Sequence, residues 1–170
     1  MKKINLLLVP VLIFILGFSA ACTNESEGEP ASQSKNAAYN FELVTLSGET
    51  VTLNSYKGKV LLVDMWDTWC PPCKAEIPHF VELYDEYNEK GLEILGVAFG
   101  REGVDAVRQF IKEYNVNYPN AIGNQEIVQG FGGIRAIPTT FVIDKKGNIH
   151  KKLVGYQDKA VFEKLVNELL

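Results

Sequence analysis

Val63-Asp64-Met65-Trp66-Asp67-Thr68-Trp69-Cys70-Pro71-Pro72-Cys73-Lys74-Ala75-Glu76-Ile77-Pro78 is the stretch on which the reading of this chain turns. It begins at the end of Val60-Leu61-Leu62-Val63, a nearly continuous apolar run of the kind that forms a strand buried on both faces of a sheet. After Cys73, Phe80, Leu83, Tyr84 and Tyr87 recur at helical spacing, and Gly91 stands where a helix would stop. Two cysteines with two residues between them therefore sit where a strand hands over to a helix. Pro78 falls inside that helix and predicts a kink.

The placement has a chemical consequence. Cys70 at the amino end of a helix faces free backbone N–H groups and the positive end of the dipole, which favours thiolate over thiol. Cys73, one turn further in, is expected to be the more buried, resolving thiol. The implied reaction is attack by Cys70 on a partner disulfide, a mixed disulfide, and its release by Cys73; the reverse path gives oxidation. A loop this small would add little as a scaffold, so the pair reads as chemistry rather than as a staple. Structural zinc would need about four ligands, and His79, His150 and scattered carboxylates are the other candidates. No metal and no cofactor are expected, and both histidines read as surface or packing residues.

Outward from the junction, strand and helix signals alternate. Phe41, Leu43 and Leu46, the turn Ser47-Gly48, then Val51 and Leu53 predict a leading β-hairpin. Ile94 to Phe99 reads as a second buried strand, and Val104, Val107, Ile111 and Tyr114 as the apolar stripe of a helix ending near Asn115. Residues 116–131 read as a short extended piece and a short helix broken by Gly132-Gly133. Thr139 to Ile143 and Ile149 to Val154 flank Asp144-Lys145-Lys146-Gly147-Asn148 as a hairpin, and Phe162, Leu165, Val166 and Leu169 mark a closing helix. The order implies an α/β domain, a mixed central sheet with helices on both faces. Right-handed crossovers put the Trp69 loop at the carboxyl end of the first core strand, where ligand chemistry collects.

The amino end is of another kind. Lys2 and Lys3, the apolar stretch Ile4 to Phe18, and Ser19-Ala20-Ala21-Cys22 read as an export signal over residues 1–21. Its order resembles a bacterial lipoprotein signal, in which the cysteine after the cleavage point carries the lipid, here Cys22; Ser19 stands where such signals usually have Leu. Ordinary cleavage after Ala21, or an uncleaved anchor, would give the same topology. Residues 22–38 read as a flexible tether, since Thr23 to Ala38 holds no branched aliphatic or aromatic residue and would span about 20 Å. Residues 39–170 form one domain. Without the signal, 15 basic residues face 21 acidic ones, so nucleic acid is an improbable partner.

From Val63 to Cys73 the chain resembles the active-site segment of thioredoxin-fold proteins, and with Lys74 to Pro78 it is similar to the TlpA/ResA-like thiol-disulfide oxidoreductases over nearly all of residues 39–170. The resemblance implies a thioredoxin-like fold with a short βα insertion before a cis-proline loop. It places Asp64 where thioredoxin carries a buried aspartate that moves protons for the resolving cysteine; a partly solvated strand-end acid is the plain alternative. Glu76 matches a glutamate common in the pattern, either tuning the cysteines or merely complementing the helix dipole. Ile137-Pro138-Thr139 matches the cis-proline loop that faces the cysteines, whose free backbone can pair with an extended substrate. With Trp69, Pro71 and Pro72 these form the expected substrate surface. Asp67 stands where the family more often has a small residue, and no role follows for it.

The same resemblance implies a periplasmic or outer-surface enzyme that reduces disulfides in exported proteins, apocytochromes c among them, with electrons from a membrane thiol donor. A disulfide-forming oxidase would use the same residues, and a copper carrier is a third class, though such carriers space their cysteines further apart and add a histidine. Peroxide reduction would call for Thr three residues before the cysteine, where Asp67 stands.

Overall fold

The computed structural model describes residues 36–170. The export signal over 1–21, Cys22 and all but the last residues of the tether lie outside the described residues.

The chain first forms a small antiparallel sheet of β1 (Glu42–Val44) and β2 (Thr50–Thr52), with Leu43 opposite Val51. These strands are shorter than the hairpin expected over 41–53, because Leu53–Tyr56 turns into a 3-10 helix. A reciprocal capping box between Thr52 and Ser55 sets that turn, and Tyr56 is buried under it.

The main sheet has five strands in the order β5-β4-β3-β6-β7. At its centre β3 (Val60–Trp66) is buried at every position, as its apolar run requires. It lies parallel to β4 (Leu92–Ala98) and antiparallel to β6 (Thr139–Ile143). On one edge β5 (Asn120–Ile122) runs parallel to β4; on the other β7 (Ile149–Val154) closes the hairpin with β6. The crossover from β3 to β4 is α1 (Pro71–Tyr87), which passes through Pro78 without ending and stops through a short 3-10 turn at left-handed Gly91. Then α2 (Val104–Glu113) leads to β5, α3 (Gln125–Gly130) leads to β6, and α4 (Lys159–Leu169) closes the domain.

Strand alternation sorts the core. Leu61, Val63 and Met65 pack with Phe41, Leu43 and Phe131 on one side of the sheet. Val60 and Leu62 pack with Phe80 of α1 and Phe162 of α4 on the other, where the two rings meet at 4.8 Å. Trp66, of the same parity, packs with Ile77 and Phe110 beside both cysteines. Asp64 lies between Leu62 and Trp66 in this register, on the face that α1 covers. Asn36, Ala37 and Ala38 pair with the β6–β7 turn, through Ala38 N–H to the Gly147 carbonyl and Ile149 N–H to the Asn36 carbonyl.

Candidate active site

Cys70 caps the amino end of α1 in extended backbone geometry, followed by Pro71 and Pro72 in the first turn. Proline is suited to this turn, because its missing N–H would have found no partner there. The first free N–H of the helix is that of Cys73, and it donates to Cys70 Sγ at 3.2 Å. The two prolines thus leave one backbone donor aimed at the Cys70 sulfur. Cys70 and Cys73 are joined as a disulfide, with Cα atoms 5.3 Å apart. The expected difference in burial is small in this state, 2% exposure against 0%. Ile137 from the facing loop packs on the cluster that holds both sulfurs.

Two buried acids lie near each other, one of them a helical turn beyond Cys73. Asp64 is buried, and the only hydrogen bond to its carboxyl among the described residues is a long one, 3.4 Å, from Thr140 Oγ1 of the neighbouring β6. Loss of solvent, then the nearby charge of Glu76, hold its carboxyl well above the usual range, against the smaller opposing effect of the Thr140 hydroxyl. Glu76 is buried as well, so it is not an exposed first-turn acid. Its Oε1 accepts the Gln157 backbone N–H at 2.7 Å, while Oε2 is buried with no hydrogen-bond partner among the described residues. Burial pushes its carboxyl up to about 7. Cys73 and Glu76 stand three apart on α1, neighbours on one helix face. The Tyr118 hydroxyl, which sequence reasoning passed over, is likewise buried without a partner, and burial plus the charges of Asp64 and Glu76 push it up.

The residue without a role in the sequence proves to organise the loop. Asp67 is buried, and its carboxylate accepts the Thr68 N–H at 2.8 Å, the Trp69 indole N–H at 2.8 Å and the Arg101 N–H at 3.2 Å. Trp69 is exposed at 44%, yet it is fixed from below by Asp67 and on its face by the Arg101 guanidinium, 5.0 Å from the ring centroid. The one hint in the sequence was an acid in a turn; one of its partners, the Arg101 N–H, lies 34 residues on.

Across the cleft the Ile137-Pro138 bond is cis. Pro138 and Thr139 are buried, Thr139 Oγ1 donates to the Ala136 carbonyl at 2.7 Å, and the Gly155 N–H donates to the Pro138 carbonyl at 2.8 Å. The cleft, of about 510 Å³, is bounded by Trp69, Pro71 and Pro72 on one side and by Arg135, Ala136 and Ile137 on the other. His79 leans on Tyr156, with ring centroids 5.8 Å apart, and His150 is exposed on β7. Among the described residues no three His, Cys, Asp or Glu side chains converge as metal ligands.

A helix-start cysteine pair that faces a cis-proline loop across a cleft can exchange disulfides with another molecule, and on this sheet it makes the protein a thiol-disulfide oxidoreductase of thioredoxin-like fold. Comparison with known proteins agrees. The AhpC/TSA family model matches residues 35–152, and the chain belongs to that family, among its ResA-like members. It is 35% identical to the thiol-disulfide oxidoreductase ResA of Bacillus cereus (strain ATCC 10987 / NRS 248) over 99% of each chain. To the ResA of Bacillus subtilis (strain 168) it is 31% identical over 92% of this chain and 87% of the relative. A solved thioredoxin-family thiol:disulfide interchange protein from Chlorobium tepidum TLS superposes with a TM-score of 0.74 at 34% identity, covering 79% of this chain and 95% of that one.

Proposed function

We propose that the enzyme works outside the cytoplasm as a reductase of disulfides in exported proteins, apocytochromes c among them. The observation that carries this reading is the burial of two neighbouring acids, Asp64 and Glu76, the second of them one helical turn beyond Cys73. Reduction of the disulfide creates thiols whose ionisation is opposed by the same burial that opposes ionisation of the two acids. The disulfide carries no charge and escapes that penalty. The couple therefore prefers to be oxidised, which makes its reduced form a donor of electrons; the Cys73 N–H on Cys70 Sγ works in the other direction, on the nucleophile alone.

In the proposed cycle the Cys70 thiolate attacks a substrate sulfur and expels the other as thiolate. Cys73 then loses its proton and attacks Cys70, freeing the substrate's second thiol. Asp64 and Glu76 serve as the proton store for Cys73, and since they interact, they titrate as a group with the thiols. The substrate lies extended between Trp69, Pro71 and Pro72 and the Ile137-Pro138-Thr139 loop, pairing with the loop's backbone. A membrane thiol donor returns the two electrons. A lipid on Cys22, with the tether ending before the residues from Asn36 on that pair with the β6–β7 turn, would keep the domain beside that donor.

The test is the reduction potential of the Cys70–Cys73 couple, titrated against a thiol buffer. Reductant action calls for a value near the thioredoxin range, roughly −270 mV. A value near that of the strong oxidant DsbA, roughly −120 mV, would reassign the enzyme as a disulfide-forming oxidase.

A further inference from the structure

The cleft beside Cys70 carries two positive charges that the exchange reaction does not use. Arg101 follows β4 and Arg135 precedes the cis bond; both are exposed and both line the cleft, while no acidic side chain among the described residues does. Acidic residues outnumber basic ones, 21 to 17, so a purely basic rim does not follow from composition. Neither guanidinium has an ion-pair partner among the described residues. The nearby acids are engaged elsewhere: Asp67 holds two N–H groups of the active-site loop and the Arg101 backbone N–H, and Glu102 Oε2 accepts the Thr68 hydroxyl at 2.7 Å. Arg101 is held in place over the Trp69 ring, so it meets a ligand with little rotamer freedom left to lose.

We infer that the cleft selects polypeptide segments with an Asp or Glu flanking the cysteine of the target disulfide, and that Arg101 and Arg135 determine this specificity. The inference rests on the enzyme's being a thiol-disulfide exchanger that acts on polypeptides. An extended segment seated along the Ile137-Pro138 loop passes between the two guanidinium groups while presenting its sulfur to Cys70. Guanidinium forks match carboxylates in shape as well as charge, whereas a flanking Lys meets a cation. The reaction itself is unchanged: two enzyme thiols become the Cys70–Cys73 disulfide, and the peptide disulfide takes two electrons and two protons to become two thiols.

The test uses the pre-reduced full chain and three disulfide-closed peptides that differ only in the residues flanking their cysteines, Glu, Gln or Lys. Single-turnover rate constants are read from tryptophan fluorescence at low and high salt. The Glu peptide is expected to react about two- to fivefold faster than the Gln peptide for each charge matched, the value of an exposed ion pair. The Lys peptide should be slower than Gln, and 0.5 M salt should draw all three together. In the double variant Arg101→Gln and Arg135→Gln the Glu-to-Gln ratio should fall to about one, whatever the absolute rates. Equal rates for the three peptides in the native chain, or a ratio that survives in the double variant, would overturn the selectivity alone. No reaction with any peptide would overturn the exchange reading beneath it.

Discussion

Replacing Glu76 by Gln tests the buried acid directly. The disulfide form is the right subject, because its cysteines do not titrate. An unfolded Glu loses its proton near 4.5, whereas burial holds the native carboxyl until about pH 7. Between those values the folded state binds more protons, so stability falls as pH rises. It is unaffected by this group below about 4.5 and reduced to its full extent above about 7. At about 1.4 kcal/mol per pH unit, the group costs the folded state about 3 kcal/mol at pH 8 relative to pH 4. Gln keeps the shape and an acceptor for the Gln157 N–H, but it places an amide N–H₂ where Oε2 has no partner, a penalty of about 1–3 kcal/mol that does not vary with pH. The discriminating quantity is therefore the slope. Urea unfolding of the oxidised native chain from pH 4 to 8 should show a loss of stability that Glu76→Gln reduces by about 3 kcal/mol, the remainder being due to Asp64. Parallel pH profiles for the two proteins would refute the claim that this carboxyl is held protonated by burial.

Other expected outcomes are equally direct. Cys73→Ser should accumulate a covalent adduct with its partner on a non-reducing gel while Cys70→Ser should not; equal trapping through both would reject the assigned roles. Asp67→Ala strands three loop N–H groups, one of them the Trp69 indole, and should cost about 2 kcal/mol and shift the tryptophan emission to the red; unchanged emission would remove Asp67 from the account of the loop. Gly96→Ala would put a Cβ 2.0 Å from Asn120 Oδ1, the atom that accepts the Trp66 indole N–H, and should cost about 3 kcal/mol in denaturant unfolding. Asp64→Asn should slow resolution of the mixed disulfide far more than its formation in stopped-flow mixing, since the reading ties this acid to Cys73.

Much of the fold and the reacting pair could be read from the chain alone, because the signals involved are local. A run such as Val60 to Val63 can be satisfied only inside a sheet, and all of it is buried. The spacing of Phe80, Leu83 and Tyr87 lays one stripe of a helix on that sheet, and all three are buried. In the turn after β6, Asp144 Oδ1 accepts the N–H groups of Lys146 and Asn148, a pairing that needs only the neighbouring residues. The Leu53–Tyr56 turn escaped because its apolar ends fit a strand equally well; the Thr52–Ser55 box decided it.

What tertiary structure alone decided is the company the buried polar groups keep. Asp64 as a letter is compatible with a solvated strand end; only the pairing of β3 with β6, and the cover of α1, bury it beside the Thr140 hydroxyl. Glu76 rises toward neutrality because the packed fold takes it out of water, against the lowering effect of the Gln157 N–H, 81 residues away, which leaves Oε2 without a partner among the described residues. Asp67 and Arg101 become one device around Trp69 only when the parallel β3 and β4 end side by side. Periodicity and turn chemistry act over a few residues and are written in the sequence. Desolvation and charge depend on which distant segments close over a group, and that is settled only by the packed fold.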